Sequence, residues 1–340
     1  MKFALKTQVG ACALAALFFA TTTQSQTLGA PFSSDYSVNS LGSVAGLPSN
    51  YGGLAFIDNN TLLIGGAANT ASGSLYTIDV TRDAENHITG FVGSAVRFGT
   101  SIGEYNDGGV TFGPGGVLFT SRWPINGLGQ TKPGSVAEDK VIELAPLGVA
   151  SSNSAINFVP GGFGGAGSVK LVSYGGGQWY SGSLAPDGNG TFDLVGLAQV
   201  DLDLGAAGIQ SLPGGPEGFV YITGANAGFS VNSMLVSEYA AGTVAAYEVD
   251  ANGDPLLSSR RTFLSGLSGA EGAVIDPVTG DFLFSTFGGG SRVVVVSGFL
   301  APLPPIDPGP TPAVPEPTTW AMLGLGLLGM AFAARKRHRS

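Results

Sequence analysis

Cysteine is almost missing from this chain. The one cysteine among 340 residues, Cys12, falls in an apolar N-terminal stretch, so the remainder holds no disulfide, no thiol nucleophile and no cysteine-based zinc site. Histidine is nearly as scarce. His338 belongs to a basic tail, which leaves His87 alone in the body of the protein, beside the polar turn Asp83-Ala84-Glu85-Asn86. A Ser-His-Asp triad would have to be built on this outer-hairpin residue, which has no nucleophile near it in sequence. Charge is sparse too, at 11% of the chain, and the basic sign is the scarcer one. Of 15 Lys and Arg, six (Lys2, Lys6, Arg335, Lys336, Arg337 and Arg339) sit in the two ends, leaving nine against 24 acidic residues, a difference of −15. That sign argues against nucleic acid and anionic lipid as partners and suits divalent cations or a solubilising surface. Helical periodicity is missing from the whole middle of the chain.

The two ends carry export signals. Residues 1–25 read as a cleaved signal peptide: Lys2 and Lys6 form a basic start, residues 9–20 an apolar core, and Thr21-Thr22-Thr23-Gln24-Ser25 offers small residues to signal peptidase. Most of the apolar core follows Cys12, the wrong order for lipidation, so this cysteine leaves with the signal. At the other end, residues 301–314 form a Pro-rich linker, a semi-rigid stalk. Residues 315–340 then hold Pro315-Glu316-Pro317, an uncharged run over 320–334, and Arg335-Lys336-Arg337-His338-Arg339-Ser340. At ~1.5 Å per residue that run makes a short transmembrane helix which barely spans a bilayer core. The basic end stays cytoplasmic, which places everything before Pro315 on the far side of the membrane.

Those last residues resemble the PEP-CTERM sorting signal of Gram-negative bacteria in content and order. The resemblance implies recognition and cutting near Pro315, Glu316 and Pro317 by exosortase, a membrane-embedded cysteine transpeptidase, usually in organisms that make exopolysaccharide. The two prolines also keep the segment around Glu316 extended, as a processing enzyme requires. The expected partners are thus signal peptidase, exosortase, the membrane through the helix before processing, and an extracellular polysaccharide or surface protein. The expected location is the cell envelope, cell surface or extracellular space, with a transient inner-membrane anchor.

Between the signals, residues 33–300 are rich in short apolar segments punctuated by Gly, Pro, Asn and Asp, the pattern of an all-β fold. Leu171-Val172-Ser173-Tyr174-Gly175-Gly176-Gly177 up to Asp187-Gly188-Asn189-Gly190 matches Leu235-Val236-Ser237-Glu238-Tyr239-Ala240-Ala241-Gly242 up to Asp250-Ala251-Asn252-Gly253. Phe282–Gly290 followed by 292–296 is a third copy, and 62–66 with 75–80, or 117–121 with 140–144, are looser ones. A further strand leads each copy: Leu54-Ala55-Phe56, Val110-Thr111-Phe112, Ile156-Asn157-Phe158, Phe219-Val220-Tyr221 and Ala273-Val274-Ile275. A period near 50 with about four strands per unit predicts a β-propeller of five blades, six being the alternative. The last unit has only three evident strands, and the strand-like piece 36–44 ahead of the first is expected to complete it, removing the sheet edges.

The connections entering the innermost strands bring Glu104, Asn106, Asp107, Glu217 and Glu271, with Tyr51 beside them, toward one mouth of the ring. Glu104, Asp107, Glu217 and Glu271 are candidate Ca²⁺ ligands, since carboxylate oxygens are what a hard cation takes. Pro216-Glu217-Gly218 and Ala270-Glu271-Gly272 resemble loops of calcium-dependent lactonase propellers. Other motifs read as turns. Gly162-Phe163-Gly164-Gly165-Ala166-Gly167 enters a strand instead of opening a helix, so it cradles no dinucleotide. The Asp187 and Asp250 loops lack the downstream Glu of a calcium loop. No catalytic residue and no cofactor other than Ca²⁺ is indicated. Two functions remain: a non-enzymatic surface or matrix module linked to exopolysaccharide or biofilm, and a secreted calcium-dependent lactonase-like hydrolase.

Overall fold

In a computed structural model, residues 26–301 are described. The signal segment, the stalk beyond Ala301 and the whole sorting tail, with its apolar run 320–334, lie outside them. Among the described residues there are 21 strands, three single-turn 3-10 segments and no helix long and apolar enough to cross a membrane.

The strands form five antiparallel sheets arranged as the blades of a propeller. From the inside out, the first blade is Leu54–Phe56, Thr61–Gly66, Ser74–Arg82 and Ile88–Arg97. The second is Asn106–Phe112, Leu118–Arg122, Gly127–Thr131 and Lys140–Glu143. Asn153–Phe158, Val169–Ser173, Trp179–Pro186 and Phe192–Val200 make the third. Pro216–Ile222, Ser233–Glu238, Thr243–Glu248 and Arg261–Ser265 make the fourth. The fifth has Ala270–Ile275, Phe282–Thr286 and Val293–Ser297, and its outer strand is Ser37–Gly42 from the N-terminal side, paired from Ser37 opposite Ser297 to Gly42 opposite Val293. The ring therefore closes through the segment expected to close it.

Burial follows position in the blade. Val293-Val294-Val295-Val296 is buried on both faces because blades pack against it from either side, so it reads as continuous β-branched residues. Each such side chain contributes about 1.5–3 kcal/mol. Outer strands such as Lys140–Glu143 alternate between half-buried and exposed. Each of the five blade interfaces holds its own hydrophobic cluster. Leu62, Ile64 and Ile78 of the first blade meet Leu283 and Val295 of the fifth. Phe32, Tyr36 and Phe263 lie with Phe282 and Val296 between the fourth and fifth.

Two details depart from the sequence reading. In the second blade, 117–121 and 140–144 are not partners: Gly127–Thr131 runs between them, pairing Leu118–Arg122 on one side and Lys140–Glu143 on the other. Gly129 makes room for a side chain, since a Cβ there would lie 2.6 Å from the Glu138 carboxylate. And Thr27–Leu28, upstream of the range 33–300, adds a short fifth strand to the outer edge of the fourth blade.

Candidate functional site

Five backbone hydrogen bonds reveal equivalent positions around the axis. The N–H groups of Ala67, Trp123, Tyr174, Tyr239 and Phe287, each just after a second strand, donate to the carbonyls of Ser49, Tyr105, Ser152, Gly215 and Gly269 at 2.8 to 3.1 Å. Two residues beyond each acceptor stand Tyr51, Asp107, Ser154, Glu217 and Glu271. Three of these five equivalent positions are acidic. The next residues are Gly52, Gly108, Ala155, Gly218 and Gly272, so four are glycine and the fifth is alanine.

The small residues let the inner strands meet. A Cβ on Gly272 would lie 2.5 Å from the Gly53 Cα, and one on Gly218 would lie 2.5 Å from the Ala273 nitrogen. A Cβ on Gly108 would lie 2.9 Å from the Gly218 nitrogen, although the second and fourth blades are not neighbours in the ring. At this level the backbones close on one another across the axis.

Above that layer, ligand oxygens of Asp107, Glu217 and Glu271 lie within 4.8 Å of one another. Asp107 and Glu271 are wholly buried and Glu217 is 4% exposed. Asn69, with its amide nitrogen facing inward, donates to Asp107 Oδ1 at 2.9 Å and to the Asn106 carbonyl at 3.1 Å. Asp107 Oδ2, Glu217 Oε2 and both Glu271 oxygens receive no hydrogen bond from an N–H or hydroxyl group, so they can bond only among themselves, through a proton carried by one of the carboxyls. Burial of three carboxyls raises their proton affinity. Asp107 is pushed up to about 7, chiefly by desolvation and against hydrogen bonds to Glu271, Asn69 and Glu217. Glu217 and Glu271 are driven well above the usual carboxylate range by desolvation first and then by their acidic neighbours. The Tyr174 and Tyr239 hydroxyls are also raised, by burial first and then by the charges of the same three carboxyls. Tyr174 and Tyr239 meet edge to face at 5.8 Å, and Tyr239 meets Phe287 at 6.1 Å.

Of the four candidate ligands, the fold brings Asp107, Glu217 and Glu271 together and leaves Glu104 out. Glu104 stands three residues ahead of the equivalent position, in a turn where Gly103 and Tyr105 have φ +85 and +58. Its half-exposed carboxylate accepts from Ser101 Oγ at 3.1 Å and lies 3.6 Å from Arg122. Asn106 ties the same turn down by donating to the Gly103 carbonyl at 2.7 Å. Tyr51 faces elsewhere, its hydroxyl accepting from the Val44 N–H at 2.8 Å. The signal that separates Glu104 from the others is the residue that follows: Asp107, Glu217 and Glu271 each precede a glycine of the axial ring, and Glu104 precedes Tyr105.

The tail supplies the second functional element. Residues 313–337 match the PEP-CTERM protein-sorting motif. This chain carries a PEP-CTERM tail. The motif marks an exported protein processed by exosortase, and Pro315, Glu316 and Pro317 fall inside the match. No curated protein matches the sequence. Among solved structures, the PEP-CTERM chain is similar to a Thermus thermophilus oxidoreductase described as a glucose dehydrogenase, at 15% identity over 77% of this chain and 100% of that one, with a TM-score of 0.43. A PQQ-bound aldose sugar dehydrogenase from Streptomyces coelicolor gives 12% identity over 76% and 83%, with a TM-score of 0.38. An auxiliary nutrient binding protein from Bacteroides thetaiotaomicron gives 11% over 77% and 76%, with a TM-score of 0.45. None of these likenesses carries an activity over to the PEP-CTERM chain.

Proposed function

We propose that this is a cell-surface or extracellular-matrix protein whose propeller is a non-enzymatic binding or structural module, associated with exopolysaccharide or biofilm and delivered by its exosortase signal. The observation that carries this reading is the closed axis. Glycine backbones from non-adjacent blades touch there, and the side chains of Asp107, Glu217 and Glu271 are buried. A catalytic cleft needs convergent polar groups that a substrate can reach. The test is cosedimentation of the purified exported protein with extracellular polysaccharide. Enrichment in the polysaccharide pellet supports the module, whereas no association together with turnover of a lactone substrate overturns it.

The trio favours a second reading, the calcium-dependent hydrolase. Its four oxygens that receive no N–H or hydroxyl donor are the ligand type that Ca²⁺ takes in sets of about six to eight. Held there, the ion would neutralise Asp107, Glu217 and Glu271 and bind the second, fourth and fifth blades together. Elemental analysis before and after chelator discriminates. The hydrolase reading expects a stoichiometric divalent ion, lost to chelator along with several degrees of melting temperature and all lactone turnover.

A further inference from the structure

Successive blades also touch at their outer hairpins. The turn between third and fourth strands of the fourth blade rests on the first turn of the third blade: a Cβ on Gly164 or Gly165 would lie 2.2 Å from the Ala251 or Asn252 carbonyl oxygen, and Asp254 of the same turn accepts from Lys170 Nζ and, at 2.7 Å, from Trp179 Nε1. The corresponding contact between the first and fifth blades, where the ring closes, is ionic as well, and it alone among them includes a histidine. Arg82 donates to both oxygens of Asp276, at 2.7 and 2.9 Å. Five residues on, His87 Nδ1 stands 2.6 Å from Asp281 Oδ2. Both aspartate side chains are fully buried, while the imidazole is 36% exposed. Asp281 Oδ2 also accepts from Ser297 Oγ at 2.9 Å, and Ser297 sits opposite Ser37 on the closing strand. The remaining oxygen, Asp281 Oδ1, is buried without a partner.

From this geometry we infer that His87 and Asp281 form a proton-operated latch across the closing seam of the propeller. With His87 protonated, the buried Asp281 carboxylate faces a full positive charge supplied by the neighbouring blade. With His87 neutral, it keeps the Ser297 hydrogen bond and, with the proton on Nδ1, the His87 one, but loses its counter-charge. The other charged groups around the imidazole are Asp83 and Glu85 on its own turn, and Asp35 in the same surface depression. Asp83 Oδ1 holds the His87 backbone N–H at 2.8 Å.

The direction of the pH effect follows from the neighbours. The Asp281 hydrogen bond raises the His87 pKa above its ordinary value, burial works against it, and the charges of Asp281, Asp83 and Glu85 add to the rise. A raised folded-state pKa means that the latch contributes fully below the unfolded value, about 6.5, and is lost as pH climbs through the folded one. The seam is fastened in acid and looser in alkali.

The test uses the full-length chain in detergent, with the His87→Gln variant to assign its imidazole signal apart from His338. Proton NMR between pH 5 and 9 should place the His87 midpoint above about 6.5. The melting temperature of wild type should exceed that of His87→Gln by ~1–3 °C at pH 5.5, the exposed ring keeping the gap small, and the gap should close by pH 9. Asp281→Asn should return the His87 midpoint toward 6.5; if that variant does not fold, the His87→Gln profile decides alone. A midpoint at or below 6.5, or a melting gap that is zero or identical at both pH values, overturns the latch.

Discussion

Gly218→Ala isolates the closure of the axis. The added methyl would lie 2.5 Å from the Ala273 nitrogen and 2.7 Å from the Glu271 carbonyl oxygen. Both obstacles are backbone of the adjacent blade, so no rotamer can relieve the overlap and two inner strands must separate. Overpacking of this kind costs about 1–3 kcal/mol, and rigid neighbours put this site toward the upper end. Alanine recovers ~0.4–1 kcal/mol by restricting the unfolded chain, for a net loss near ~2 kcal/mol. At roughly 2–4 °C per kcal/mol for a domain of this size, the melting temperature should fall by ~4–8 °C. Gly161→Ala is the internal control, because a Cβ there meets nothing within 4 Å. It should match wild type or gain up to ~1 kcal/mol. Calorimetry of the purified protein and its two variants makes the comparison. Equal melting temperatures for Gly218→Ala and Gly161→Ala would refute the claim that backbone contact shuts the axis.

Three further outcomes follow from the same structure. Arg260→Met should cost ~2–4 kcal/mol by urea denaturation: it strands the wholly buried Glu238, which also accepts from Tyr247 at 2.7 Å and Thr243 at 2.6 Å, and partial exposure of Arg260 keeps the loss below that of a fully buried pair. Deleting residues 36–44 removes the outer strand of the last blade and should give aggregation in light scattering or a much lower melting point. Glu316→Ala should leave melting unchanged while altering processing in cells that have exosortase, read as a band shift on immunoblots of envelope and medium fractions.

Much of this architecture was legible because a blade writes its strands unevenly. Inner and second strands are packed on both faces, so Phe282–Thr286 and Val236 with its neighbours stand out as apolar runs, and the missing fourth strand of the last unit pointed to the N-terminal segment. Gly127-Leu128-Gly129-Gln130-Thr131 has the glycines of a loop and is a strand, since Gly129 answers to the Glu138 carboxylate and not to a turn. The acidic trio was legible in part. Glu104 looked equivalent to the others until the hydrogen bonds fixed the register, and only the glycine after each acid could have said so. The seam was illegible: Asp281 is 194 residues from His87, and no local pattern joins them.

The way the last blade ends has a mechanical consequence. Val293–Ser297 is hydrogen-bonded on both sides, to Phe282–Thr286 and to Ser37–Gly42. Beyond it Phe299 packs against Tyr36 at 4.5 Å, and the Leu300 N–H is held by Asn226 at 2.8 Å. Tension arriving through the tail would therefore reach an interior strand after first having to free Phe299 and Leu300. Extracting that strand would break two ladders of hydrogen bonds, where an edge strand would lose only one.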